Sequence, residues 1–329
     1  MDIQKKWLQY VKPYVDEIAT DTAGNAIAVI NKDADFKVML AGHCDEIGFL
    51  VRRIDENGFI YVEKLGGISQ KPAIGMKVQI LGKKPITGVI GVNAEHHGGV
   101  KDDFKFHELF IDIGAKSKRE ANEYVAIGDV AVYKREPEFL LNERLSGRGL
   151  DNRTGAFIVA EVMKRLSQRS LSVGVYGVST VNEETNMGGA YFAGAQIEPT
   201  MAIALDVTFA TDYPSVDRGK HGEVDIEKGP VLAKGAPINR KINELLEKSA
   251  ERLNISLPYE LTPGRKGTDA DQIRLTGKGV PVALVSLPLR YMHSPVETIS
   301  LRDLEEEIEL LVDMLGHLTG RENLKPVDI

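Results

Sequence analysis

The chain contains a single cysteine, Cys44, among its 329 residues, so it cannot form an internal disulfide. A chain without disulfides is typical of a reducing compartment, and we expect a cytoplasmic protein. No apolar stretch approaches the roughly 20 residues that span a membrane. The N-terminus, with Asp2, Lys5 and Lys6 before Trp7, lacks the apolar core of a secretory signal. We therefore expect neither a membrane span nor export.

An excess of positive charge is also missing. Lys and Arg number 41 against 48 Asp and Glu, which gives a formal net charge of −7 at pH 7. Binding along a nucleic acid requires concentrated Lys and Arg, so we do not expect nucleic acid as the main partner. Apolar residues make up 43% of the chain and charged residues 27%, which is ordinary for a soluble globular protein.

Helical and extended patterns alternate in the first and last parts of the chain. Apolar residues at helical spacing predict a helix over residues 3–18, and Ser300 is a typical N-cap for a last amphipathic helix. Apolar, β-branched runs between the helices predict buried strands. This alternation predicts an α/β fold, with a mixed sheet between two layers of helices.

The middle of the chain has a different character. Short β-prone runs, separated by glycines and polar turns, indicate a small β-barrel inserted into the larger domain. We therefore predict a discontinuous main domain of residues 1–66 and 147–329. The inserted barrel takes residues 67–146.

A predicted buried strand over residues 175–182 ends in two adjacent acids, Glu183 and Glu184. The carboxyl ends of strands in an open α/β sheet are where ligands bind, so a pair of glutamates there can have a chemical role. Taken alone, two adjacent glutamates are more often explained by a solvated loop. The pair becomes informative because other chemistry-bearing residues occupy similar positions.

Those other residues lie where predicted strands end or helices begin, and they are His43, Asp45, Asp151, Asp206 and His293. His43 and Asp45 are two apart, so on extended backbone their side chains leave the same face. A carboxylate on the second ring nitrogen commonly orients a metal-binding histidine. Each feature also has a structural explanation, since an aspartate such as Asp151 at a helix start is most often an N-cap.

Two histidines and several acids from separate strand ends make a metal site rich in oxygen and nitrogen ligands. One cysteine excludes a structural zinc site of the cysteine type. Two metal ions roughly 3.5–4 Å apart are commonly used to activate a water and stabilise its attack. A carboxylate that binds no metal must still transfer the proton of that water. Adjacent glutamates meet both needs, one as a ligand and the other as a base.

Five motifs occur in order, with an insertion between the first and second: Gly42-His43-x-Asp45-x-x-Gly48, Leu150-Asp151-Asn152-Arg153, Glu183-Glu184, Ala204-Leu205-Asp206 and Tyr291-Met292-His293-Ser294. In these motifs the chain resembles the dinuclear metallo-aminopeptidases that assemble into tetrahedral particles. They are relatives of bacterial glutamyl aminopeptidases and are often labelled cellulases or endoglucanases. The resemblance covers nearly the whole chain and continues in the inserted segment, at residues 109–115 and Gly128-Asp129.

The resemblance implies a role for each candidate. Two divalent ions, zinc or cobalt, are expected, with Asp151 as the bridge, His43 and Asp206 on one ion, and Glu184 and His293 on the other. Glu183 is then the general base and Asp45 the partner that orients His43. The resemblance also implies a homo-oligomeric, dodecameric particle, in which the inserted barrel serves in dimerisation or gating.

The sequence departs from the family pattern in two loops. Residues 185–187 are Thr-Asn-Met, where Val-Gly-Leu followed by Arg is usual, and Lys266 stands where glycine is common. Thr268 and Asp269 in the second loop are candidate substrate-binding residues. An acid such as Asp269 in a pocket favours basic N-terminal residues, whereas an aspartate in a polar loop is often a cap or turn residue.

The expected function is removal of N-terminal residues from short peptides. An alternative is a deacylase or amidohydrolase that uses the same two metal ions on small N-acyl compounds, and a requirement for a free α-amine separates the two. A third possibility is a peptide-binding protein without turnover, although an intact Glu183 argues against it. Cellulase activity is unattractive, because glycosidases generally use two carboxylates around the sugar bond and no metal.

Overall fold

In the computed structural model, which describes residues 2–101 and 103–327, the chain forms a large mixed sheet, a closed barrel and a small three-stranded sheet. The strands are β1 (Glu17–Thr20), β2 (Ala26–Ile30), β3 (Lys37–His43), β4 (Gly48–Ile54), β5 (Ile60–Leu65), β6 (Lys77–Ile80), β7 (Ile86–Ile90), β8 (Phe110–Asp112), β9 (Val130–Tyr133), β10 (Glu138–Leu140), β11 (Arg144–Gly147), β12 (Gly174–Thr180), β13 (Met201–Phe209), β14 (Val231–Gly235), β15 (Tyr259–Thr262), β16 (Val282–Leu289) and β17 (Glu297–Ser300).

The α-helices are α1 (Asp2–Val11), α2 (Gln70–Ala73), α3 (Lys118–Ala121), α4 (Leu150–Leu166), α5 (Glu183–Asn186), α6 (Gly188–Ile197), α7 (Arg218–His221), α8 (Arg240–Leu253), α9 (Ala270–Ile273) and α10 (Leu301–His317). Short 3₁₀ turns lie at Lys12–Tyr14, Glu95–His97 and Phe106–Glu108. Within the described ranges, no helix combines the length and the apolar character that crossing a membrane requires.

The large sheet has the strand order β1-β2-β12-β3-β13-β16-β14-β15. Its four central strands, β12, β3, β13 and β16, run parallel to one another. The register places Thr180 opposite His43 and Asp206 opposite Ser286. Parallel strands present their carboxyl ends at one edge, so the segments that follow these four strands meet there. The predicted mixed sheet is confirmed.

Side chains of the central strands alternate between two cores. Val38 and Leu40 pack in one apolar cluster with α1, α4, α8 and α10, whereas Met39 and Ala41 pack in another with α6 and α9. The period of two along the strand sends successive side chains to opposite faces, and both faces are covered by helices. The predicted arrangement of a sheet between helical layers is therefore confirmed.

The barrel closes in the order β4-β5-β8-β7-β6-β9 around a core that includes Phe49, Ile60 and Ile111. The predicted barrel is confirmed, but it takes in β4 and β5, which precede residue 67. The sequence patterns of these strands do not show which sheet they join, because a half-buried strand alternates in the same way in either sheet. The division into residues 1–66 with 147–329 and 67–146 stays a prediction.

The predicted first helix is wrong in its second half. Helix α1 ends at Val11, a 3₁₀ turn follows, and β1 begins at Glu17. Proline lacks the N–H that a helix needs and disfavours helical backbone in the residue before it, so Pro13 ends the helix. At the other end of the chain, the Ser300 hydroxyl accepts a hydrogen bond from the Arg302 N–H at 3.2 Å, and the predicted N-cap is confirmed.

One side chain in α10 is in an unfavourable environment. Glu307 is 0% exposed, and neither carboxyl oxygen has a hydrogen-bond partner among the described residues. Burial raises its pKa well above the ordinary value, and the nearby Asp303 and Asp206 raise the pKa further. The carboxyl is therefore neutral in the folded protein at a pH at which it ionises in the unfolded chain, so its destabilising effect grows as pH rises above about 4.3.

Replacing this carboxyl by an apolar group should stabilise the protein in a pH-dependent way. We expect Glu307→Met to raise the free energy of unfolding by about 1–3 kcal/mol at pH 8 and by less at pH 5. The substitution removes the free-energy cost of keeping the buried acid neutral, and that cost is larger at the higher pH. Guanidinium unfolding at the two pH values measures the effect. The matched control is Glu309→Met, an exposed position on the same helix. A gain that is equal at both pH values would contradict the raised pKa.

Candidate metal centre

Five predicted ligands meet at the edge where the central parallel strands end. Each comes from a different element: His43 is the last residue of β3, Asp206 lies in β13, Glu184 is the second residue of α5 after β12, His293 lies in the turn after β16, and Asp151 lies in the first turn of α4. The common edge of the sheet thus places together residues that are up to 250 positions apart, since 293 − 43 = 250.

Asp151 lies between the two histidines. Its Oδ1 is 3.4 Å from His43 Nε2, and its Oδ2 is 3.3 Å from His293 Nε2. On the first side, Asp206 Oδ1 lies 3.8 Å from His43 Nε2, and on the second, Glu184 Oε2 lies 3.6 Å from His293 Nε2. The two oxygens of Asp151 therefore face two separate groups of ligands.

These residues fit divalent metal ions. Two ligands that are each about 2.1 Å from one tetrahedral ion lie roughly 3.4 Å apart, which is close to the separations above. The ligand atoms of His43, Asp151 and Glu184, and likewise those of His43, Glu183 and Asp206, all lie within 4.8 Å of one another. Glu184 Oε1 is buried and has no hydrogen-bond partner among the described residues. A carboxylate in such a place needs a cation or a proton.

The acids of the cluster have strongly shifted pKa values. Burial raises the pKa of Asp206 well above its ordinary value, raises that of Glu183 to about 9 and raises that of Glu184 to about 7, with added repulsion from neighbouring carboxylates. Although burial opposes it, hydrogen bonds with His293 and His43 lower the pKa of Asp151 to about 2. Several acids thus retain protons that an incoming metal ion would displace.

Asp45 does more than the sequence pattern predicts. Its Oδ1 accepts a hydrogen bond from the Glu183 N–H and its Oδ2 one from the Glu184 N–H, each at 3.2 Å. Oδ1 is also 3.6 Å from His43 Nδ1, whose nearer partner is the Asp45 backbone oxygen at 3.2 Å. Asp45 therefore fixes the start of α5 against the end of β3, and both glutamates are positioned through it.

A cleft of about 370 Å³ is lined by four of the candidate ligands, Asp151, Glu184, Asp206 and His293. Glu183, which is 8% exposed, lines it, and its Oε2 lies 3.6 Å from His43 Nε2. Thr268 lines the same cleft, whereas Asp269 is 2% exposed and accepts a hydrogen bond from the Thr180 hydroxyl. Burial raises the pKa of Asp269 to about 6. Contact of Thr268 or Asp269 with a substrate stays a prediction.

The motifs do not include Glu297, which holds two of the candidate ligands in place. Its Oε2 accepts hydrogen bonds from the N–H groups of Leu150 at 2.8 Å and Asp151 at 3.2 Å, and its Oε1 accepts one from the His293 N–H at 3.0 Å. Glu297 is 1% exposed, and burial raises its pKa to about 8. The one signal in the sequence is an acid within an otherwise uncharged strand, four residues after His293.

The junction between barrel and sheet also touches the site. A Cβ at Gly67 would lie 2.4 Å from His293 Nδ1, so this position has no room for a side chain unless the histidine moves. The preceding Gly66 has φ +73° and approaches Glu184. The barrel therefore joins the main sheet immediately beside two candidate ligands.

The comparisons with known proteins agree with this geometry. Residues 24–310 match the M42 glutamyl aminopeptidase family. The chain is 34% identical to a lysyl aminopeptidase of Pyrococcus furiosus, over 97% of this chain and 90% of that protein. The solved structure of the aminopeptidase APDkam598 from Desulfurococcus kamchatkensis superimposes with a TM-score of 0.92 and 30% identity, covering 100% of this chain and 93% of the other.

A second similar solved structure is that of a protein that forms large assemblies. It is the TET1 peptidase of Pyrococcus horikoshii, which can assemble into a tetrahedron or a large octahedral shell. Its TM-score to this chain is 0.85 at 29% identity, with 96% of this chain and 94% of the other covered.

The position of Glu297 leads to a prediction about metal affinity. We expect Glu297→Gln to weaken metal binding by about 10–100-fold, because an amide offers only one oxygen to three N–H donors and turns its own N–H groups toward some of them. Calorimetric titration of chelator-stripped protein with zinc measures the change. The matched control is Glu309→Gln on the exposed face of α10, which should bind zinc like the unmodified protein. Unchanged affinity in Glu297→Gln would contradict the positioning role.

Proposed function

Because the chain belongs to the M42 glutamyl aminopeptidase family and is a metal-dependent aminopeptidase, we propose that it trims short peptides with two divalent metal ions. The observation that carries the proposal is the position of Asp151, whose two oxygens face His43 on one side and His293 on the other. One carboxylate shared between two ligand groups is an arrangement that suits a pair of metal ions held close together.

The ligand groups follow from the distances. His43 and Asp206 would hold one ion with Asp151, and Glu184 and His293 would hold the second with the same aspartate. Imidazole and carboxylate ligands suit zinc and accept cobalt, which are the ions we propose. When bound, such ions lower the pKa of a coordinated water and polarise a carbonyl group.

Glu183 is the proposed general base. It lines the cleft beside the ligands, and the assignment above leaves its carboxylate free of metal. A carboxylate at this point takes a proton from the attacking water and returns it to the nitrogen of the departing amine. At 8% exposure the side chain is shielded from bulk solvent, so the proton remains within the site. Asp45 supports this role by holding the backbone N–H of Glu183.

We further propose a homo-oligomer in the cytoplasm, as a tetrahedral dodecamer with the barrel in dimerisation or gating. The assembly of the TET1 peptidase supports the proposal. So do two apolar side chains around β10, Phe139 and Leu141, which are 77% and 85% exposed in the isolated chain. Apolar groups this exposed in one strand region commonly mark an interface. An enclosed particle would admit short peptides and exclude folded proteins.

The test of the activity compares free and blocked amines. Chelator-stripped protein is assayed on aminoacyl-p-nitroanilides and on their N-acetylated counterparts, before and after addition of zinc or cobalt. We expect metal to restore cleavage of the free-amine compounds alone. Cleavage confined to the acetylated compounds would instead indicate the deacylase, which the aminopeptidase relatives do not favour. Absence of cleavage of both sets of compounds would contradict the proposed enzyme activity.

The roles of the adjacent glutamates can be separated by the same substitution at each. We expect Glu183→Gln to lower kcat by about 10²–10⁴-fold while the metal content stays unchanged, because the amide cannot accept the proton. Glu184→Gln is the matched comparison and should lose metal, since it removes a ligand. Kinetics with metal analysis by mass spectrometry gives both readouts. Loss of metal from Glu183→Gln would contradict its assignment as the base.

A further inference from the structure

The wall of the cleft next to Asp206 carries a second charged group. Thr208 follows Asp206 by two residues on β13, so both side chains leave the same face of the sheet, roughly 7 Å apart along the strand. The Thr208 hydroxyl donates a hydrogen bond to Glu260 Oε2 at 2.6 Å. Glu260 therefore contacts β13 two residues beyond the proposed ligand Asp206, and it lines the same cleft.

Glu260 is a buried carboxylate whose oxygens are both occupied. It is 7% exposed; Oε1 accepts a hydrogen bond from the Ser286 hydroxyl at 3.2 Å, and Oε2 lies 2.8 Å from the Lys266 ammonium. Ser286 and Thr208 are neutral, so Lys266 balances the charge. A carboxylate this buried is strongly destabilised when its cation is removed.

The Lys266 ammonium lies within the lining of the cleft, paired with Glu260. A substrate lysine carries its ammonium on a flexible four-carbon stem, and Glu260 lines the same cleft as the candidate ligands Asp151 and His293. Lys266 reaches the carboxylate from the protein itself. A second ammonium there would be repelled by the Lys266 ammonium, and the Glu260 carboxylate would already be paired. Placing it there therefore costs free energy.

The loop that carries Lys266 is held independently of its side chain. The carboxylate of Asp271 accepts hydrogen bonds from the backbone N–H groups of Lys266 and Gly267, each at 2.8 Å. The Lys266 side chain is 29% exposed and, with Glu260, also lines an adjoining cavity of about 780 Å³. The ammonium can therefore be removed without removing the contacts that fix the backbone.

Building on the aminopeptidase function above, we propose that Lys266 determines specificity by pairing with Glu260 and thereby excluding basic N-terminal side chains. The enzyme then prefers peptides whose first residue is neutral. Removing the ammonium exposes a buried carboxylate to the substrate and converts the same subsite into one that accepts lysine or arginine.

The test uses the metal-loaded enzyme and the ratio of kcat/KM for lysyl-p-nitroanilide to that for leucyl-p-nitroanilide. We expect the unmodified enzyme to favour the leucyl compound. In Lys266→Met the ratio should rise by about 10–100-fold, because the substrate ammonium replaces the missing partner of Glu260. The double variant Glu260→Gln with Lys266→Met should return the ratio to the original range.

Two further variants keep the outcome decisive. Lys266→Arg retains the positive charge and should keep the ratio low, and Lys278→Met, at an exposed position, should leave the ratio unchanged. A ratio that does not rise in Lys266→Met, or a preference of the unmodified enzyme for lysyl or glutamyl substrates, would overturn the proposal. Such results still require aminopeptidase activity, whereas absence of all cleavage would instead count against the function proposed above.

Discussion

The structure depends on a surplus of buried carboxylate charge at one edge of a parallel sheet. Asp151 and Asp206 are each 6% exposed, and Glu183 is 8% exposed, within reach of two histidines. Buried acids at this density are tolerated only when protons or cations compensate them. Asp151 lies between His43 and His293, and the dinuclear chemistry proposed above rests on that position.

The candidate ligands and the proposed base are held by two further acids, Glu297, which is buried, and Asp45, which is partly exposed. Asp45 accepts the N–H groups of Glu183 and Glu184, and Glu297 accepts those of Asp151 and His293. Both carboxylates tie loops from distant parts of the chain to the sheet edge. The ligands are therefore oriented through their backbone as well as by packing, and such supporting contacts commonly tune metal affinity.

Much of the fold and of the candidate site could be predicted from the sequence because acids and histidines at strand ends stand out against apolar runs. Parallel strands then bring those ends together. Glu297 and the Lys266–Glu260 pair could not be predicted, since their partners come from segments that only the tertiary structure places side by side. The sequence predicts β4 and β5 to lie outside the barrel for a similar reason, because alternation identifies a strand and not its sheet.

The most direct test of the central claim is the number of metal ions bound per chain. Chelator-stripped protein is titrated with zinc by calorimetry, and the ions retained after dialysis are counted by mass spectrometry. Two ligand groups that share Asp151 predict two ions per chain. A single ion per chain at saturation would contradict the shared carboxylate and, with it, the proposed dinuclear chemistry.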